Sequence, residues 1–116
     1  MPKMEKSPPE LVERFDTVAA EFPEATRRLT FGYPCLYVGG NMVSGLFGND
    51  WWVRVSEPDR ERLLELPGAH PLEVMPGKAM GRSVVLPAEV VASDADLDGW
   101  LVRAIAFTRT LPPKKK

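Results

Sequence analysis

The run Asp94-Ala95-Asp96-Leu97-Asp98-Gly99 sets three carboxylates on alternate positions with a glycine sixth, the spacing that opens a calcium-binding EF-hand loop. The twelfth position of such a loop must supply a bidentate carboxylate, and here it is Ile105. A helix start accounts for the run instead. Ser93 is the expected N-cap, Asp96 completes a capping box, and the carboxylates face the positive end of the helix dipole. His70, the only histidine, stands between Gly68-Ala69 and Pro71, where a solvent-facing loop is expected. A general base there would need a nucleophile or a second carboxylate from elsewhere in the fold. Cys35, the only cysteine, follows Pro34 in a β-rich run and reads as a small buried apolar residue rather than a reactive thiolate.

The glycines carry no nucleotide-binding pattern: Gly39-Gly40 and Gly45 fall between or inside strands, with no helix after them and no Walker lysine. They are expected at turns and at a close backbone approach. Arg27, Arg28, Arg54 and Arg82 interleave with Tyr33, Tyr37, Trp51 and Trp52, the composition of a stacking platform for single-stranded nucleic acid. The formal net charge of -1 argues against it and favours core aromatics beside solvated arginines. No catalytic residue, cofactor or metal ligand is therefore expected.

The chain has 116 residues, 44% of them apolar, which suits one domain with one core. A lone cysteine excludes an internal disulfide and a multi-thiolate zinc site, and it fits a cytoplasmic protein. No apolar stretch approaches the roughly 18 residues that cross a bilayer, so no membrane partner is expected.

These residues must be positioned by helices and strands whose punctuation is legible. Ser7-Pro8-Pro9-Glu10 has the form of a capping box, and Leu11, Phe15, Val18, Ala19 and Phe22 follow at helical spacing until Pro23. Four short strands are expected next, over 26–31, 35–38, 42–47 and 51–55. Gly32-Tyr33-Pro34, Gly39-Gly40-Asn41 and Gly48-Asn49-Asp50 separate them as turns of an antiparallel meander. Ser56-Glu57-Pro58-Asp59 caps a short second helix that ends at Pro67-Gly68. Strands over 71–75 and 83–86 come next, joined by a loop over 76–82, and a last helix runs from about Asp94 to Thr110. Its stripe is Leu97, Trp100, Leu101, Ala104, Ile105 and Leu111. Residues 1–6 and 112–116 read as flexible tails. The order, one helix, four strands, a helix, two strands and a helix, predicts an α+β fold in two layers, an antiparallel sheet with helices on one face.

If Asn49-Asp50 is the tip of the third hairpin, Phe47 faces Trp52, Leu46 faces Val53 and Gly45 faces Arg54. Met42, Ser44, Leu46, Trp51, Val53 and Val55 then share the helix-covered face, and Val43, Gly45, Phe47, Trp52 and Arg54 share the open one. An open patch of Val43, Phe47, Trp52 and Arg54 has the composition of an interface, and a homodimer is expected through it. A turn one residue longer or shorter exchanges the faces and puts Trp52 in the core.

Read as a string, Leu29 to Met42, with Phe31-Gly32 before a hairpin and Asn41-Met42 leading into the next strand, resembles the opening of the TfoX N-terminal domain family. Trp52-Val53-Arg54-Val55, the loop Gly77-Lys78-Ala79-Met80-Gly81, Trp100 and the ending Ala106 to Lys114 match in order. The resemblance covers the chain from about residue 10 and is closer than one to YjbR-like proteins. Two positions depart from the pattern: Tyr33-Pro34 replaces a second glycine after Phe31-Gly32, and Ala79 replaces a proline. The resemblance implies a secretion-chaperone-like two-layer fold, a link to transcriptional control of competence in the family's longer members, and no catalytic residues. The expected function is a non-enzymatic regulatory module acting through protein partners. The alternative is a nucleic-acid binder using Arg27, Arg28, Trp52 and Arg54, and a third reading is an enzyme or small-ligand binder with a pocket built from separated residues.

Overall fold

The computed structural model describes residues 7–30, 32–75 and 78–112. Among these residues the order is α1 (Pro9–Ala19), β1 (Thr26–Thr30), β2 (Tyr33–Val38), β3 (Asn41–Phe47), β4 (Asp50–Arg54), α2 (Glu57–Leu64), β5 (His70–Met75), β6 (Lys78–Val85), α3 (Ala88–Ala92) and α4 (Asp94–Arg109). The strands form one antiparallel sheet in the order β1-β2-β3-β4-β6-β5. The α+β fold and the four-strand meander are as expected. In the last hairpin β6 pairs with β4, so β5 is the far edge. Residues 78–82, expected in a loop, extend β6, and α3 is an additional short helix.

Helix starts follow local chemistry unevenly. Ser93 Oγ accepts from the Asp96 N–H at 3.3 Å, the expected cap. At α1 the capping box does not form. Pro8 is the N-cap and Pro9 opens the helix, so Ser7 stands one residue too early and its buried hydroxyl has no partner. Ser56 occupies the N-cap of α2, but its hydroxyl makes no cap bond.

All four helices contribute to one core. Phe15, Val18 and Phe22, Leu63 of α2, Val90 of α3, and Leu97, Leu101, Ala104 and Ile105 of α4 meet Leu36, Val43, Leu46, Trp51, Val53 and Val84 of the sheet. Phe15 and Trp51 pack ring on ring at 5.0 Å. Ile105 is 3% exposed, so the residue at the calcium loop's twelfth position is a core residue. Arg14 fastens α1 to the α3–α4 corner: Nε donates to the Val91 carbonyl at 2.9 Å, and Nη1 lies 3.0 Å from Asp94 Oδ1.

The third hairpin decides the sheet faces. Phe47 pairs with Asp50, Leu46 with Trp51, Gly45 with Trp52 and Ser44 with Val53, so the turn is Gly48-Asn49 and not Asn49-Asp50. Gly48 has φ +60°, which the tight turn requires and glycine adopts freely. The register differs from the expected one by two residues, an even shift, so Leu46, Trp51 and Val53 stay on the helix side, opposite Phe47 and Trp52. An irregularity in β3 then corrects two assignments. Leu36 pairs with Ser44 but Tyr37 with Met42, leaving Val43 as the extra residue of a bulge. Val43 consequently enters the helix-side core, fully buried, and Met42 packs on the other face.

Candidate functional site

The face without helices is built in rows. Arg28, Cys35, Gly45, Trp52, Val85 and His70 stand opposite one another, one from each strand, across the whole sheet. Its centre is a second small core of Cys35, Trp52, Leu72 and Val85, with Tyr37, Met42 and Phe47 packed around it. Gly45 makes this possible. A Cβ there would lie 2.6 Å from Cys35 Sγ and 2.9 Å from Trp52 Cζ2, so only the bare backbone lets the indole settle against the strand. The expected close approach at Gly45 is therefore present.

Trp52 is 4% exposed. With Val43 behind the sheet, the four residues expected to form an open interface do not make one continuous patch: Phe47 and Arg54 are half-buried, and the other two are covered. The same burial removes Trp52 as a stacking surface for bases. The alternation expected of β4 is correct in sidedness, but the second face is not bare.

The polar groups of this face collect at its two sides. At the β1 side, Thr30 and Tyr37 hydroxyls are hydrogen-bonded to each other at 2.5 Å, and the Arg28 guanidinium lies 5.6 Å from the Tyr37 ring centroid. Arg28 has no carboxylate partner among the described residues, whereas Arg27, which points to the helix side, pairs with Asp16 at 2.6 Å. The Cys35 thiol beneath them is pushed up in pKa by burial, against a smaller lowering from a Thr30 hydrogen bond, which keeps it a thiol at neutral pH. Phe31 and Gly77 of the family-like motifs lie outside the described residues, as do residues 1–6 and 113–116 of the two expected tails. Gly32 forms an exposed turn with φ +84°, and Met80 and Gly81 fall within β6.

At the other side a recess of about 410 Å³ is lined by Phe47, Asp50, His70, Pro71, Leu72 and Val85. A second recess of about 330 Å³ shares Asp50, His70 and Val85 and continues past Trp51 and Leu86 to Arg14 and Val91. His70 is not in a loop but opens β5. It remains exposed, and Nδ1 lies 3.1 Å from the Pro71 carbonyl. A carbonyl can only accept, so Nδ1 is the donor of this contact, and in the neutral ring Nε2 is left as an acceptor. Asp50, expected only as a turn residue, lines the same recess. The pair was invisible in the sequence because the β4-β6-β5 order joins residues whose spacing resembles no motif.

Cys35 and His70 share a row but stand on β2 and β5, four strand spacings apart, or roughly 19 Å along the sheet. They form no thiol–imidazole pair. Among the described residues no group of three or more His, Cys, Asp or Glu side chains is placed to hold a metal ion, and no helix is long and apolar enough to cross a membrane.

No curated protein and no solved structure matches the chain. A family model described as the TfoX N-terminal domain matches residues 17–108, which include the whole sheet, α2, α3 and nearly all of α4. The match extends over most of the 116 residues, and the chain belongs to the TfoX N-terminal domain family.

Proposed function

We propose that this domain is a cytoplasmic, non-enzymatic binding module with a regulatory role, which takes an extended acidic segment of a partner protein onto the outer edge of β1. The observation that carries the proposal is the condition of that edge. β1 ends the sheet, four of its five residues are exposed, and Leu29 is 63% exposed. A terminal strand offers a row of unpaired N–H and C=O groups, and an added strand satisfies them. The far edge strand, β5, contains Pro71, which lacks a backbone donor, while Thr26-Arg27-Arg28-Leu29-Thr30 contains no proline.

Charge selects the occupant. A second copy pairing antiparallel along all five residues would set Arg28 opposite its own counterpart, an unfavourable cross-strand contact. A strand bearing Asp or Glu meets the Arg28 guanidinium, which has no carboxylate partner among the described residues, and can rest an apolar side chain beside Leu29. Arg28 thus disfavours self-pairing and favours an acidic partner by the same charge. The separation of Cys35 from His70 supports a non-enzymatic role, and the family supports a regulatory one.

The test is fluorescence anisotropy with a labelled peptide of alternating Asp and Val, its alternating Lys and Val counterpart, and a labelled DNA duplex at two salt concentrations. The acidic peptide should bind saturably, and Arg28→Glu should weaken it tenfold or more. Unchanged binding by the variant would overturn the reading. Tight duplex binding that falls steeply with salt would favour the nucleic-acid alternative through Arg27, Arg28 and Arg54.

A further inference from the structure

We infer that the recess between β4 and β5 is a binding site for a small organic cation, an ammonium or amidinium on an apolar body. The inference uses different residues from the β1 edge and stands or falls separately. The floor and walls of the recess are apolar: Phe47, Pro71, Leu72 and Val85. Among the described residues its ionisable groups are Asp50 and His70. The Asp50 carboxylate has no hydrogen-bond or ion-pair partner among the described residues. His70 Nδ1 donates to the Pro71 carbonyl, which in the neutral ring leaves Nε2 as an acceptor. Both polar groups of the recess therefore accept, and a ligand that satisfies them must donate.

The surrounding charge points the same way. Among the described residues the one cation bordering the adjoining recess, Arg14, is held by the Val91 carbonyl and Asp94 on the far side, so it does not neutralise Asp50. An anion would meet a carboxylate with no compensating charge among the described residues. A metal ion would find one carboxylate and one imidazole, short of the three or more protein ligands of ordinary sites. An organic cation matches every wall: its charge meets Asp50, a second N–H meets His70 Nε2, and its body lies against Leu72, Val85 and the face or edge of Phe47. A recess of about 410 Å³ accommodates a ligand the size of one substituted ring.

The experiment uses the full chain and three probes of similar size, benzamidine, benzyl alcohol and benzoate, followed by amide chemical shifts on an isotope-labelled sample. Benzamidine should bind saturably with a Kd of about 1 mM or tighter. The moving amides should be those of Phe47, Asp50, His70 and Leu72. Benzyl alcohol should bind at least tenfold more weakly, and benzoate should not bind. Asp50→Asn should remove the preference for benzamidine over benzyl alcohol. The comparison of probes on the unaltered chain tests the inference even if that variant fails to fold. Equal affinity for the three probes, no saturation, or shifts centred elsewhere would overturn it.

Discussion

A methyl group at position 45 has no room. The nearest atoms to it would be Cys35 Sγ at 2.6 Å, Trp52 Cζ2 at 2.9 Å and the Pro34 carbonyl oxygen at 3.1 Å. Cys35 and Trp52 are both almost wholly buried, so neither can swing aside into solvent. Gly45→Ala should therefore destabilise the fold by about 1–3 kcal/mol, read from the midpoint of urea unfolding. The double variant Gly45→Ala/Cys35→Ala should recover part of that loss by removing the closest atom. Stabilisation by Gly45→Ala, the usual sign where a site is open, would mean that the indole does not lie against this strand. The neighbouring thiol supplies an independent check. Its pKa is raised by burial, so its contribution to stability is complete below the ordinary thiol range and is lost as pH rises through the raised value. At neutral pH a disulfide reagent should leave Cys35 unmodified in the native protein and react once urea has unfolded it.

At the scale of elements, the end of α1 and the start of α4 carry a built-in opposition. Glu21 sits against Asp98 and near Asp94, and the hydrogen bond and charge of Asp98 raise its carboxyl above the usual carboxylate range. A carboxyl whose folded pKa is raised favours folding while it is protonated and loses that contribution as pH rises through the raised value. At neutral pH the pair therefore opposes folding. Glu21→Gln, whose amide can donate to Asp98 at every pH, should raise Tm at pH 7. The difference from the parent should vanish as pH falls through the carboxylate range. A Tm that falls at pH 7, or a gain that persists in acid, would contradict this account of the contact.

Elements also mark how far the sequence could be read. The sidedness of β4 survived a wrong turn assignment because the register moved by two residues, and an even shift preserves which side chains share a face. The faces of Met42 and Val43 were reversed because a bulge adds one residue with no signature in side-chain type. α3 escaped because its five residues, Ala88–Ala92, are too few to show a helical period. The chemistry at 94–99 was legible, since the decisive residue, Ile105, belongs to an apolar stripe that a single helix displays. The Asp50–His70 recess was not, because strand order, which local pattern does not encode, brings the two together.

At the scale of the molecule, the sheet is covered by helices on one side, stabilised by a second small core on the other, and left unpaired along β1. That edge is where the domain can acquire a partner without disturbing either core. Binding there converts exposed backbone groups into cross-strand hydrogen bonds, which slows their exchange with solvent. The most direct measurement is amide hydrogen exchange across β1, with and without the acidic alternating peptide at saturation. The account predicts that the N–H groups of Thr26–Thr30 that point away from β2 slow by tenfold or more, while those of β5 are unchanged. Bound peptide with unaltered exchange in β1, or protection appearing along β5 instead, would contradict it.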